Sequence, residues 1–541
     1  MIKKLLVRNY KILKDLRLEL NPRINIFVGD NDAGKSTLLE ALSIVTTGKL
    51  HYYPFERQIK ANLFSIEARN DYIKAINSGQ KPEPPQIIME AYFDKTEDQH
   101  HCGTNNELHE DCPGIRVVVE MDSAYTEVYK KMLAEKSIFD IPVELYKVTY
   151  HYFSSEEERV LFRFSSFKSV FIDATHRDYS YVINRFVSSN IEDILTNEEQ
   201  VELSWEYRSN RDSFRKNEYV KKLNESVSQR NEYNNKKVSI DLTEDHIDAW
   251  KKEMNLVVED IPFENVGFGT QNTIKSELAL KNSSEKVKII LIEEPENNLS
   301  YANMARLIEN ISSTDEKQVF VATHSSYVAN KLDLQNLFLI EKGKVVSFKS
   351  LSAEAVNYFV KLPGYDTLRV LLAEKVILVE GPTDELILQR AYNDRYGRLP
   401  IQDGVDIIAV GSLSFNHYCE IAGLINKEIS VVTDNDHSIS KMKKKYEKYI
   451  EEPFVSFFYE KNEELNTIEP SVLEANCVNK VPDPSFQGIV YHGSKKQMTF
   501  DELNDFMERN KSLWAMRVFE AEENIQYPEY IQNAVRQFDK N

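Results

Sequence analysis

The alternation of apolar and polar positions divides the chain into two α/β regions separated by a long polar stretch. Ile24–Val28 is a short, wholly apolar run of strand length, and Ser36–Val45 follows with helical spacing, so the first fifty residues read strand, turn, strand, loop, helix. A further strand is predicted at Ile87–Phe93, beyond the Pro-rich Lys81–Pro85. From Val143 to Ile261 there is neither Gly nor Pro, and from about Glu192 the segment is charged and polar, which predicts extended helices projecting from a core. Apolar strand runs return at Val287–Ile292 and Val319–Ala322, and Asn336–Phe348 reads as a hairpin around Lys342-Gly343-Lys344. After a connector at about 350–368, a second α/β unit is predicted: strand Val376–Val379, helix Glu385–Tyr392, strand Val405–Val410 and strand Ile429–Thr433.

A chain of 541 residues implies two to four domains, and 42% hydrophobic content allows full-sized cores. No run approaches the ~20 apolar residues of a membrane span, so no membrane is expected. The N-terminus reads as a strand and not as a leader. Four cysteines make no disulfide framework, which points to a reducing, cytoplasmic setting. A net charge of −19 argues against general coating of DNA, yet leaves room for a local basic groove. Lys441–Lys448 is such a local excess; it is either that groove or a solvated helix face. His100, His101, Cys102, His109 and Cys112 have zinc-compatible donors, but their spacing matches no standard knuckle, and a polar loop is the preferred reading.

Two constellations carry chemistry. Gly29-Asp30-Asn31-Asp32-Ala33-Gly34-Lys35-Ser36-Thr37 fits a phosphate-binding loop between strand and helix. Backbone N–H groups from Gly29, Asn31 and Gly34 through Thr37 would cradle phosphate, Lys35 would reach the β/γ oxygens, and Ser36 would ligate Mg²⁺. The strand at Ile289–Ile292 ends in Glu293-Glu294, with Glu293 assigned to the metal and Glu294 to the attacking water. His324, at the tip of the next strand, can bond a γ-phosphate. The second constellation is Glu380-Gly381-x-x-Asp384 followed by Asp434-x-Asp436, all at predicted strand ends. Four gathered carboxylates repel one another unless a cation sits among them, and hard oxygen donors favour Mg²⁺ or Mn²⁺. Their i, i+2 spacing is expected to put Asp434 and Asp436 on one side of the strand.

The first constellation resembles the ABC-type ATPase heads of recombination and chromosome-maintenance proteins. Val266–Gln271 matches their signature segment, which implies dimerisation, and Phe268 stands where those heads carry serine, which leaves the efficiency of ATP hydrolysis open. Gln86 is either their metal-and-water glutamine or an ordinary loop residue. The second constellation is the Toprim pattern. Over essentially its whole length the chain is similar to the OLD (overcoming-lysogenization-defect) nucleases, through Phe171–Asp178, Leu465–Pro470 and Asn510–Ala515 as well. That resemblance adds Glu469 to the metal site, with Glu474 as a substitute, and gives Lys511 to the scissile phosphate; Gly411 and Ser412 would shape the cleft.

The implied architecture is an ABC-type ATPase head with a helical dimerisation insertion, followed by a parallel-sheet α/β Toprim domain. Its divisions would be 1–190 and 257–350 for the head, 191–256 for the insertion, 351–372 for a connector and 373–541 for the Toprim domain. The implied protein is an ATP-regulated, metal-dependent DNA endonuclease, a homodimer or larger assembly built through its ATPase head. An antiphage role is implied as well, with a helicase or reverse transcriptase as a second component. The rival readings are a non-catalytic ATP-dependent DNA-binding scaffold and another Toprim enzyme, such as a topoisomerase or primase.

Overall fold

The computed structural model describes residues 1–51, 53–94, 101–135, 137–155, 168–174, 195–230, 238–241, 256–281, 287–314, 316–361, 367–411, 414–493 and 496–539. The chain divides into two compact units: 1–324 with 340–345, and 325–339 with 346–541.

The first unit is built around two large sheets. One is antiparallel, with strands in the order Leu13–Glu19, Ile2–Tyr10, Ile87–Phe93 and Cys112–Met121, and with Tyr146–Tyr152 paired to the last of these. Every residue of Ile87–Phe93 is buried, as a central strand covered on both faces requires. The other sheet runs Lys168–Asp173, Val287–Glu293, Gln318–Ala322, Ile24–Gly29, all parallel, and is extended by a hairpin whose tip, Ile340–Val345, belongs to the same unit. Ile289–Ile292 and Val319–Ala322 are at most 1% exposed, which is why these strands read as unbroken apolar runs and not as alternations. Parallel pairing brings the strands' carboxyl ends to one edge: Asp173 pairs with Glu293, Glu293 with Ala322, and Ala322 with Phe27. In open α/β sheets that edge is where ligands bind.

The expected helix after the phosphate loop forms at Lys35–Thr47, and it is buried along most of its length. The polar stretch yields the helices Asn197–Lys216 and Glu218–Arg230 among the described residues; the first starts with a full capping box between Thr196 and Glu199. The hairpin turn forms as read, with Lys342 and Gly343 both at positive φ.

The second unit is built on four parallel strands in the order Val405–Ala409, Lys375–Val379, Ile429–Val432, Val455–Phe458. The helix Pro382–Tyr396 begins three residues before its expected start, because Pro382 is well suited to the first helical turn and Asp384 caps it. Its core joins Ile387, Leu388 and Tyr392 to Val472, Leu473, Trp514, Val518, Ile531 and Val535, so the C-terminal helices close over the sheet. Arg390, 7% exposed, donates to the carbonyls of Val518 (2.9 Å), Phe519 (3.1 Å), Ala521 and Glu523 (3.2 Å) at the end of the helix Lys511–Glu520. Those carbonyls have no helical N–H to accept from, so one guanidinium anchors the C-terminus of the helix that begins at Lys511.

Candidate functional site

The phosphate loop is formed and closed. Gly34 adopts φ 113°, and a Cβ there would lie 2.7 Å from Ile12 Cγ2; a Cβ on Gly29 would lie 2.3 Å from the Ile340 carbonyl oxygen. Both positions therefore need glycine, one for conformation and close approach, the other for close approach alone. Lys35 Nζ donates to the carbonyls of Gly29 (3.0 Å) and Asp30 (2.9 Å), a parked ammonium at the mouth of the loop. Burial pulls its pKa down, against the attraction of Glu294, Asp30 and Glu293.

Around it the other strand tips converge. Burial raises the pKa of Glu293, the Ser36 hydroxyl that hydrogen-bonds to it works in the other direction, and Asp173 raises it further. Glu294 sits at φ 49° with its N–H donated to the Ala322 carbonyl, 2.8 Å away, so the chain turns out of the sheet at that residue. Its pKa is pushed up to about 7 by burial first and then by Glu296, and His324 Nε2 lies 3.2 Å from its Oε1. Burial, followed by the Lys35 cation, lowers the pKa of His324. Glu296 Oε1 accepts from the Thr323 hydroxyl (2.7 Å) and the His324 N–H (2.8 Å), lacing two strand tips together. The structure thus brings together Lys35, Ser36, Glu293, Glu294 and His324. Asn31 is exposed on the loop, and Thr37 lies in the first turn of the helix. Gln86 points elsewhere, donating to Glu120 at 2.9 Å.

Phe268 starts the helix Phe268–Lys281, and Gln271, 3% exposed, donates its amide to the carbonyls of Phe263 (2.9 Å) and Val266 (2.8 Å). The glutamine of the signature segment therefore holds the turn that precedes its own helix. A Cβ on Gly269 would meet the Asn298 carbonyl oxygen at 2.3 Å, which explains that glycine as close packing.

The acid site of the second unit is assembled from four elements. Glu380 ends its strand; its Oε1 accepts from the Thr433 hydroxyl (2.7 Å) and the Asp434 N–H (3.1 Å). Asp384 Oδ2 accepts from the Gly381 N–H at 3.0 Å. Burial and then Glu380 push the Asp384 carboxyl up to about 7. Burial, Asp384, Glu380 and Glu469 in turn push Asp434 up to about 9. Glu469 is fully buried: its Oε2 accepts from the Thr467 hydroxyl (2.8 Å), and Lys511 Nζ lies 3.3 Å from its Oε1. Burial opposes the Lys511 ammonium, but attraction to Glu469, then Asp434 and Asp384, raises its pKa overall.

Asp436 departs from expectation. The strand stops at Val432, and Asp436 is exposed at φ 48°, so the extended alternation that would have placed it beside Asp434 does not reach it. Asn435 between them is buried; it donates to the carbonyls of Glu460 and Asn462, both at 3.0 Å, and accepts from the His437 N–H, pinning two loops at the sheet's edge. Glu474 lies in the last turn of the helix Ile468–Ala475. Gly411 donates to the Glu380 carbonyl (3.1 Å) from φ 79°; Ser412 lies outside the described residues. Of the histidine and cysteine run, His100 lies outside the described residues, His101 stacks on Tyr152, and Cys102 and Cys112 form no disulfide among the described residues.

The donor set of the acid site suits a hard divalent cation. It is all carboxylate oxygen, two of its members have raised pKa values, and the buried Oε1 of Glu469 faces the Lys511 ammonium at 3.3 Å without a well-aligned hydrogen bond. As they stand, no three acidic, histidine or cysteine side chains among the described residues enclose a cation, so holding one would require the carboxylates to draw in.

Sequence reasoning missed Thr433 and Asn435 as supports, and it missed Tyr530, whose buried hydroxyl is raised well above its ordinary pKa by burial, then Asp434 and Asp384. Asp173 lay inside a stretch noted only for its resemblance; its parallel register with Glu293 is the signal that would have found it.

A family model described as an AAA ATPase domain matches residues 1–329, more than half of the chain. The chain belongs to that family. A second, the overcoming lysogenization defect protein-like TOPRIM domain, matches residues 371–436, which contain Glu380, Asp384, Asp434 and Asp436. The chain is 29% identical over 177 residues to endonuclease GajA of Bacillus cereus, across 32% of this chain and 30% of that one. It is 30% identical over 167 residues to the OLD nuclease of Thermus scotoductus, across 28% and 31%. The chain thus spans under a third of the length of these curated relatives. Among solved structures, the C-terminal region of the Burkholderia pseudomallei OLD protein aligns with 31% of this chain and 96% of its own at 18% identity, with a TM-score of 0.25.

Proposed function

We propose that this protein is an ATP-regulated endonuclease that hydrolyses DNA phosphodiesters at the acid site of its second unit. The observation that carries this reading is the pairing of Lys511 with Glu469 beside Asp384 and Asp434: a fixed cation at the rim of an otherwise acidic, oxygen-only cluster. Glu380, Asp384, Asp434 and Glu469, with Asp436 swung in from its exposed turn, would hold Mg²⁺ or Mn²⁺. A divalent cation bound there supplies an activated water and neutralises charge on the leaving oxygen. The residues themselves do the rest. Thr433 fixes the carboxylate of Glu380, Asn435 fixes the loop that bears Asp434, and Lys511 gives its ammonium to a non-bridging phosphate oxygen as negative charge builds. Cleavage of this kind leaves 5′-phosphate and 3′-hydroxyl ends.

In the first unit, ATP would draw Lys35 off the carbonyls of Gly29 and Asp30. Ser36 and Glu293 would hold its Mg²⁺, Glu294 would orient the attacking water, and His324 would bond the γ-phosphate. Phe268 leaves the signature segment without the hydroxyl that would reach across to a partner's nucleotide, so nucleotide is held longer than it is hydrolysed. Within this reading the ATPase unit and the 191–256 segment mediate homodimerisation. The setting is the cytosol and the role is antiphage defence, alongside a helicase or reverse transcriptase component. The test is cleavage of plasmid and linear DNA with Mg²⁺ or Mn²⁺, with and without ATP. Wild type should cut and Glu380→Ala should not; the ATP lanes and Lys35→Ala give the sign of the coupling. Wild-type protein that cuts no DNA under any of these conditions overturns the reading.

A further inference from the structure

The acid site creates a problem that its own residues do not solve. A cluster of carboxylates in a chain of net charge −19 repels the polyanion it would act on. The structure places a counterweight next to it. The helix Ile439–Lys445 follows directly from the loop that carries Asp434, and its turns continue through Tyr446 to Ile450. Met442, Tyr446 and Tyr449 are buried along one side, whereas Lys441, Lys443, Lys444, Lys445 and Lys448 are exposed. Lys441, Lys444, Lys445 and Lys448 stand at i, i+3, i+4 and i+7, which is a single helical face. Glu447 is the only acid in the eight residues 441–448.

This face is tied to the acid site by contacts. The Tyr446 hydroxyl hydrogen-bonds the Thr433 side chain and feels the charge of Glu380. Thr433 in turn donates to Glu380 at 2.7 Å. Lys445 Nζ lies 5.1 Å from the Tyr446 ring centroid and Lys448 Nζ 4.9 Å from that of Tyr449, so both stems lie along aromatic surface and their ammoniums are held in place. Two residues, Thr433 and Tyr446, thus separate Glu380 from the lysine face.

We propose that the lysine face Lys441–Lys448 is the track for the phosphate backbone of the DNA that enters the acid site. It contacts phosphates and reads no bases, because lysines on an exposed helix face offer point charges without bidentate geometry. The proposal rests on the DNA-cleaving reading above for its substrate, but it concerns binding and is tested without cleavage.

The experiment measures fluorescence anisotropy of a labelled 30-base-pair duplex with the full-length protein in Ca²⁺, over a KCl series. Wild type is compared with Lys441→Ala/Lys444→Ala/Lys445→Ala and with a control, Lys130→Ala/Lys131→Ala, which removes exposed charge from the first unit. Thermal melts check that all three fold alike. The expected result is weaker binding by the triple variant at low salt, with the slope of log K against log[salt] shallower by about 0.9 for each lysine on a phosphate, up to about 2.7 in all. The control keeps the wild-type slope. An unchanged slope in the triple variant, an equal change in the control, or no duplex binding by wild type would each overturn the proposal. Wild-type binding with the expected slope change but no Mg²⁺-dependent cutting would instead leave the track standing and remove the nuclease reading.

Discussion

Replacing Asp384 with Asn should make the cation-free protein more stable, and the gain should grow with pH. In the folded state burial and then Glu380 move the Asp384 carboxyl from its ordinary 3.8 to about 7. Between those two values the unfolded chain has released its proton while the folded one keeps it, so stability falls as pH rises through that window and levels off above it. The full displacement of about 3 pKa units corresponds to about 4 kcal/mol at pH 8, and less than half of it has accrued by pH 5. These are ceilings, because Asp384 titrates together with Asp434 and Glu380 and the penalty is shared. Asn removes the charge and keeps the local architecture, since its Oδ1 can accept the Gly381 N–H that Asp384 Oδ2 accepts at 3.0 Å.

The assay is thermal unfolding of wild type and Asp384→Asn at pH 5 and pH 8, each in EDTA and in excess Mg²⁺. For a unit of this size 1 kcal/mol moves a melting temperature by roughly 2–4 °C. The variant should therefore melt several degrees above wild type at pH 8 in EDTA, by a smaller margin at pH 5, and Mg²⁺ should raise wild type more than the variant. A variant that melts below wild type in EDTA at pH 8, or a margin indifferent to pH, would refute the account of a site strained by burial and like charge.

Lys511→Ala should lower DNA cleavage by about 10²–10³-fold, the loss typical of one electrostatic donor to a charged transition state. Duplex affinity in Ca²⁺ should stay within a few-fold, and a parallel loss of affinity would assign the lysine to binding alone. Gly34→Ala should abolish nucleotide binding by calorimetry, because its Cβ would sit 2.7 Å from Ile12 Cγ2 in a left-handed backbone; retained binding would mean the loop opens to admit nucleotide. Arg390→Met should destabilise the second unit by about 3 kcal/mol, since the carbonyls of Val518 and Phe519 lose a buried, charged donor. Chemical denaturation measures that, and an unchanged midpoint would mean water replaces the guanidinium.

How legible each site was follows from how local its determinants are. The phosphate loop was readable because its chemistry is a contiguous run flanked by apolar strand and helix, and each glycine answers to a nearby steric fact. Glu293, Glu294 and His324 were readable because fully buried parallel strands announce themselves, and their tips must share an edge. Glu380 and Asp384 sit where the run placed them, on a strand end and its helix. The reading failed where backbone leaves regular structure. Asp436 lies beyond the last residue of its strand, and period-two reasoning has no force at φ 48°. The fourth strand, Val455–Phe458, is too short to show a period, and the C-terminal helices matter through contacts such as Arg390 with Val518, which lie far apart in sequence. Support residues such as Thr433 and Asn435 carry no signal in a single sequence, because Thr or Asn at a strand end is ordinary until its partner is seen.

The two units share one electrostatic design on unrelated sheets. In each, parallel strands deliver carboxylates to one edge, burial raises the pKa of at least one of them to about 7, and a lysine sits opposite: Lys35 beside Glu294, Lys511 beside Glu469. Each lysine differs in what it does at rest. Lys35 is folded onto neutral carbonyls, so an arriving phosphate competes only with weak acceptors and can take the ammonium outright. Lys511 is already paired with a buried carboxylate, so a phosphate must share it unless a cation first occupies Glu469. The first unit is thus set to bind its anion in one step, whereas the second is set to recruit cation before phosphate. That ordering predicts that apparent DNA affinity at the acid site rises with Mg²⁺ and, by linkage, that the Mg²⁺ concentration giving half-maximal cleavage falls as DNA is raised. If DNA and Mg²⁺ instead showed no dependence on one another in initial-rate measurements, the Lys511–Glu469 pair would not be the element that orders them.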